Sequence, residues 1–218
     1  MSIFTTKTES KHQYLVIRSR NQEKLSLLEL EQNTIIHIGE QAQLELNIEA
    51  GAYEHNLHIF LTKGAKLEIL EQENWSGNIH WSIDLIEPHS QVQYKTRLEV
   101  KDNSNNIIKI NHQAAYTQSN IDSRYCIASQ FKLIQHTIIN ISKGINSCQA
   151  KQSAEVLLLT DRPQIKIIPE LRVATDNSDA GHGVAIYPIK ERDIFYLMAR
   201  GISQTKSIRI LKEGFLEG

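Results

Sequence analysis

One imidazole sits in an unusual setting near the end of the chain, His182 in Asp179-Ala180-Gly181-His182-Gly183. A neutral imidazole is a metal ligand. Asp176 and Asp179, just upstream, offer either a carboxylate to orient the ring or an oxygen ligand. The plainer reading makes them turn-forming acids, with His182 bonded to the backbone of an Asp-Ala-Gly-His-Gly turn. Among the other histidines, His55, His58 and His80 suggest a metal site at first sight. On a strand, however, His55 and His58 are an odd number of positions apart and point to opposite faces. His58 and His80 then read as a histidine ladder on the surface, with no third ligand.

The thiols are Cys126, between Tyr125 and Ile127, and Cys148, in Asn146-Ser147-Cys148-Gln149. The first reads as a small buried hydrophobe; the second has a more polar setting and is the more reactive of the two. Both are assigned structural roles. Glu68, Glu71, Glu73 and Asp84 are scattered along alternating runs and read as members of solvated faces. Neither GxxxxGK[ST] nor GxSxG occurs, so phosphate binding by a P-loop is excluded.

The elements that must position these groups are strands for most of the chain. From Gln13 to about residue 170 apolar residues recur at every second position, in TIIHI, QLELNI, NLHIFL, QVQYKTRLEV and FKLIQHTIINI among others. Asn56-Leu57-His58-Ile59 is echoed by Asn78-Ile79-His80-Trp81, and Ala42-Gln43-Leu44-Glu45-Leu46 by Ala65-Lys66-Leu67-Glu68-Ile69. Offsets of this size match one coil of a β-solenoid, in which each coil buries its inward residues against its neighbours. A sandwich or jelly roll also spaces short strands evenly, so both architectures stay open on periodicity alone.

The tail changes period. Between Ile189 and Arg200, Ile194, Leu197 and Met198 fall at i, i+3 and i+4, widened by Phe195, and Gly201 stands where a helix C′ glycine belongs. Ser203 is a suitable N-cap for a second helix carrying Ile208, Leu211 and Phe215. Helices this short need a surface to pack on, either the β-domain or another protein. Leu197, Leu211 and Phe215 are assigned to packing; Tyr196 and Arg200 are assigned to partner contact.

The totals restrict the partners. Lys and Arg number 24 against 25 Asp and Glu, a formal charge of −1, which gives no electrostatic case for nucleic acid or an anionic membrane. Two cysteines without CxxC spacing argue against a disulfide framework, and no run approaches the ~18 apolar residues of a membrane helix. A cytoplasmic location is expected.

LLLTDRPQIKIIPELRV (157–173), AGHGVAI (180–186) and DIFYLMARGIS (193–203), in that order, resemble the C-terminal part of the SufB/SufD family, scaffold subunits of the SUF iron–sulfur cluster assembly system. The likeness is strong over about residues 140 to 216 and looser upstream. It implies a right-handed parallel β-helix core (1–187) followed by a small C-terminal helical domain (188–218). It further implies pairing through the β-helix with a SufB-like paralogue or a second copy, and docking of a SufC-like ABC ATPase on the helices. Phe195, Tyr196, Met198, Arg200 and Ile202 are the docking candidates, and His182 is the cluster or metal candidate.

Departures point to a SufD-type rather than a SufB-type subunit. Pro163 stands where SufB-type subunits carry a cysteine, Gly183 replaces their glutamate after the histidine, and Ala180 replaces a cysteine common in SufD-type turns. The N-terminal helical region of longer members is expected to be missing. The reading is therefore a scaffold and not an enzyme, with no tightly bound cofactor of its own and a transient iron–sulfur cluster at the subunit interface. The alternatives are a carbohydrate-active β-helix enzyme and a self-pairing structural solenoid with a vestigial cluster site.

Overall fold

The computed structural model describes residues 12–128 and 130–217; the expectation about a region preceding the solenoid falls on residues outside these. Within them the alternating runs form fourteen strands in two seven-stranded sheets. One sheet holds β1 (Gln13–Ile17), β3 (Asn33–Ile38), β5 (Gly51–Leu61), β7 (Trp75–Leu85), β9 (Ser104–His112), β11 (Lys132–Ile141) and β13 (Gln164–Val173). The other holds β2 (Gln22–Ser26), β4 (Gln43–Ile48), β6 (Lys66–Glu71), β8 (Gln91–Val100), β10 (Gln118–Ile127), β12 (Gln149–Leu158) and β14 (Asp179–Pro188). Successive strands alternate between sheets, and neighbours within a sheet run parallel. That arrangement is a solenoid and excludes the sandwich, whose neighbouring strands are antiparallel. The coils lengthen along the chain, from 21 residues between the paired Gln22 and Gln43 to 31 between Gln118 and Gln149 and 30 between Gln149 and Asp179.

The alternation sets the core. Leu44, Leu46 and Ile48 on β4 face Leu57, Ile59 and Leu61 on β5, and Leu67 and Ile69 continue the stack. Each buried Leu or Ile contributes on the order of 1.5–3 kcal/mol of burial free energy. Corners take left-handed conformations at Gln41, His89, Tyr116 and Ser147 as well as at Gly64 and Gly144. Gly77 is obligatory: at φ +99°, an added Cβ would lie 2.1 Å from the Tyr53 carbonyl oxygen.

Two acids assigned to solvated faces prove to be buried. Glu71 lies inside the solenoid and accepts hydrogen bonds from Trp75 Nε1 at 2.6 Å and Thr96 Oγ1 at 2.7 Å. Asp84 lies on the outer face yet is covered, accepting from Asn111 Nδ2 at 2.6 Å and Gln113 Nε2 at 3.1 Å and meeting His58 Nε2 at 2.6 Å. From the fourth coil onward polar side chains join the apolar interior: Tyr94, Thr96, Asn106, Ser123, Gln135, Thr137 and Gln152 are all buried.

His112 belongs to this interior, with Nδ1 2.7 Å from Thr117 Oγ1 and Nε2 2.8 Å from Ser119 Oγ. Burial lowers its pKa from 6.5 to about 4. A proton that the unfolded chain accepts near pH 6.5 is refused by the fold until pH falls to about 4. Stability therefore falls as pH drops through that window, by about 3 kcal/mol. Urea denaturation at pH 7 and pH 4.5 should show this loss in the wild type and a smaller one in His112→Gln; equal losses would assign the acid sensitivity to other groups.

The tail forms α1 (Glu191–Met198) and α2 (Gln204–Glu217). The first helix is shorter than its apolar pattern suggests, because the Ile189 amide extends the sheet by donating to Leu158 O at 2.9 Å. Gly201 adopts φ +81° and donates to Met198 O, as a C′ glycine should, and Ser203 Oγ accepts from Lys206 N at 3.4 Å. The second helix lies on the outer face of the even-numbered sheet against β8 and β10. It is held there by the Lys212–Glu99 ion pair, by Arg124 Nη1 donating to Phe215 O at 3.2 Å, and by the edge-on Tyr187–Phe215 contact. No helix among the described residues is long and apolar enough to cross a membrane.

Candidate functional site

His182 lies in the middle of β14, not in a turn. The run Asp-Ala-Gly-His-Gly continues the alternation of earlier coils, so it takes the next rung of the sheet, and Gln149–Leu158 pairs with it residue by residue. Register fixes its direction. Ala150, Gln152, Ala154 and Val156 face inward on β12, and their partners are Ala180, His182, Val184 and Ile186. His182 thus belongs to the inward-facing row of the last coil.

That row is uncovered. Among the described residues β14 pairs only with β12, and β13 only with β11, so each has one free edge. Val173, Val184 and Ile186 are exposed at 40%, 40% and 49%, although equivalent positions one coil earlier are buried. Ile165, Ile167 and Leu171 are half-buried against the core. The result is an open cross-section: two unpaired strand edges around an apolar floor, with one imidazole in it. Free edges of this kind are templates for another chain.

The acids do not gather around His182. Asp179 is an odd number of positions away and faces outward, 3.6 Å from Lys151 Nζ, and Asp176 is exposed in the connection before β14. Ala180 shares the inward row with His182, whereas Pro163 stands just ahead of β13. Among the described residues no three His, Cys, Asp or Glu side chains converge on a metal position.

The other histidines go elsewhere. His80 is in register with Asn56 and His58 with Ser82, so the expected His58–His80 ladder is displaced by two residues. His58 instead stacks beside Phe60, with centroids 4.1 Å apart, and meets Asp84. His55 Nδ1 is 3.0 Å from Glu31 O. Both cysteines are buried and free. Cys126 lies on the face covered by α2, where burial raises its thiol to about 12, far from reactive. Cys148 has the more polar setting of the two, buried inside a corner 3.3 Å from Thr117 Oγ1 and 3.5 Å from Ala114 O.

A second exposed patch lies on the tail. Phe195 and Tyr196 are 63% and 59% exposed and Met198 is also exposed, whereas Ile194, Leu197, Ile202, Leu211 and Phe215 are half-buried. The Arg200 guanidinium lies 3.5 Å from the Tyr196 ring centroid and also donates to Tyr196 O at 3.1 Å. Ring and guanidinium form one stiff cationic plate. On the even-numbered sheet an open groove of about 600 Å³ is lined by Gln43, Lys66, Gln91, Gln118 and Gln149, with Glu45 and Glu68 as register neighbours. Nothing in the alternation had marked Gln152, buried directly beneath His182; only the register brings it there.

Comparison with known proteins gives a consistent answer. The family model described as "SUF system FeS cluster assembly, SufBD core domain" matches residues 79–215. An iron–sulfur cluster assembly SufBD family protein of Pyrococcus horikoshii is 35% identical over 82 residues, covering 35% of this chain and 18% of that protein. One from Staphylococcus haemolyticus is 28% identical over 109 residues, 50% of this chain and 23% of the relative. One from Mycobacterium leprae is 22% identical over 178 residues, 76% of this chain and 20% of the relative. The matched segments thus span about a fifth of the length of these relatives.

Proposed function

The chain belongs to the SufBD core-domain family, and from that premise we propose that it is a non-enzymatic scaffold in iron–sulfur cluster assembly. It pairs through its open last coil with a SufB-like subunit or a second copy of itself, in the cytoplasm. The β-helix domain is the rod, and the two C-terminal helices are the handle gripped by a SufC-like ABC ATPase. Pro163 in place of the SufB-type thiol and Gly183 after the histidine support a SufD-type place in such a pair, and Ala180 leaves it without the thiol common in SufD-type turns.

The observation that carries this reading is the uncapped final coil with His182 on its inward row. A neutral imidazole there offers one nitrogen ligand, and an edge-paired partner closing the coil brings its own thiolates to the same place. The cluster is cargo held transiently between subunits. Nucleotide-driven closure of the motor rotates the scaffold pair and exposes it.

Anaerobic reconstitution with iron and sulfide, of the chain alone and with a SufB-like partner, tests the proposal. The pair should develop cluster absorption, and His182→Ala should reduce the yield severalfold without changing pairing. Unchanged yield would leave the chain a purely structural partner. A carbohydrate-active enzyme would use the groove on the even-numbered sheet. Lys24, 2.6 Å away, holds the Glu45 carboxyl below its usual range, opposite to the raised value a general acid needs. Incubation with acidic polysaccharides should accordingly release no fragments.

A further inference from the structure

Gln152 is 4% exposed, faces the interior of the solenoid, and its Oε1 is buried with no hydrogen-bond partner among the described residues. An unpaired buried amide oxygen costs about 1–3 kcal/mol, so a fold that keeps one has a use for it or a donor close by. The residue directly above it in register is His182, on the adjacent parallel strand and the same inward row. Its ring is exposed and makes no hydrogen bond with any described residue. In-register neighbours on parallel strands stand about 4.8 Å apart, a spacing that side-chain hydrogen bonds between coils span.

Polar side chains do bond across consecutive coils elsewhere on this solenoid. Asn111 and Asn140 bond across consecutive coils at 2.7 Å, Asn78 and Asn105 at 2.9 Å, and Gln93 and Asn120 at 3.1 Å. Those pairs lie on outer faces, where solvent competes for them. The Gln152–His182 pair lies on the inward row, where the acceptor has no water to fall back on.

We propose that Gln152 is the positioning residue for His182: its Oε1 accepts one ring N–H, fixing the tautomer and turning the other nitrogen, with its lone pair, toward the open end of the coil. This rests on the reading of His182 as a cluster ligand for its purpose, though not for the hydrogen bond itself. A neutral imidazole has one donor nitrogen and one acceptor nitrogen, and whichever bond the first makes decides where the second points. Gln152 touches no reacting atom; it acts through His182.

The test is nitrogen NMR of the full chain labelled at histidine, at pH 8, with His182 identified by the signals lost in His182→Ala. The wild type should show the well-separated ring-nitrogen shifts of a single tautomer. In Gln152→Met, which keeps length but removes the acceptor, the two shifts should draw together toward those of free imidazole. Gln152→Glu, which retains an acceptor at the same reach, should restore the separation. A wild-type spectrum already averaged overturns the proposal, as does one indifferent to Gln152→Met. Should Gln152→Met fail to fold, the wild-type and Gln152→Glu spectra decide. Cluster yield with a SufB-like partner is scored separately. A tautomer that responds to Gln152 while His182→Ala leaves the yield unchanged upholds the positioning role and removes the ligand reading.

Discussion

Replacing Tyr196 and Arg200 together by alanine is expected to weaken co-purification with a SufC-like ATPase by at least 100-fold, and deleting residues 189–218 to abolish it. Tyr196 is mostly exposed and Arg200 is stacked upon it, so the two present a rigid plate at little entropic cost to a partner. Hot-spot Tyr and Arg residues each contribute on the order of 2 kcal/mol or more, and about 3 kcal/mol between them already exceeds 100-fold. The solenoid should be untouched, since neither residue packs on it. An unchanged thermal melt beside lost binding is the expected pair of results. Binding that survives either change would mean that the motor grips another surface, and the lever account would fail.

Inside the rod the largest effect on stability is expected from Glu71→Ala, a loss of about 3–5 kcal/mol in urea denaturation. The change strands the Trp75 indole N–H and the Thr96 hydroxyl, both of which donate to this carboxyl, and leaves a void in a closed interior. Glu71→Gln should cost no more than about 1.5 kcal/mol, because it keeps the shape and an accepting oxygen. Burial raises the Glu71 pKa, so the folded chain holds this proton above the unfolded value of 4.5. Its linkage has the opposite sign to that of His112. The stability it contributes is complete below about pH 4.5 and is lost as pH rises through the folded value. Glu71→Gln should therefore become relatively more favourable at high pH. A Glu71→Ala variant as stable as Glu71→Gln would show that Trp75 and Thr96 find other partners.

Alternation of Leu and Ile with polar residues, and echoes such as Asn56-Leu57-His58-Ile59 with Asn78-Ile79-His80-Trp81, marked strands repeating at coil length, and the family resemblance of the C-terminal segments chose stacked coils over a sandwich. Period two forces one face inward, and repetition at coil length lets only like coils cover it. The change of period after Pro188, with Gly201 and Ser203 in place, likewise made the helical hairpin legible. Register was not legible. The two histidines of the echo sit at matching places in their words, yet the chain stacks His80 on Asn56 rather than on His58. Coil length varies at the corners, and one or two residues added there shift every pairing that follows.

Burial of acids was hidden for a related reason. Glu71 occupies the inward place at the end of β6, where alternation expects an apolar residue; the indole of Trp75 lies four residues on, but only the neighbouring coil supplies Thr96 to satisfy the other oxygen. Local order thus determined the strands, their coil-length repetition and the identity of the residues able to do chemistry. Tertiary structure alone decided that His182 stands in a strand above Gln152 at an unclosed end. Which side chains meet depends on how far each coil travels before it returns, and that distance is the sum of many weak corner preferences, none of them written in any single residue.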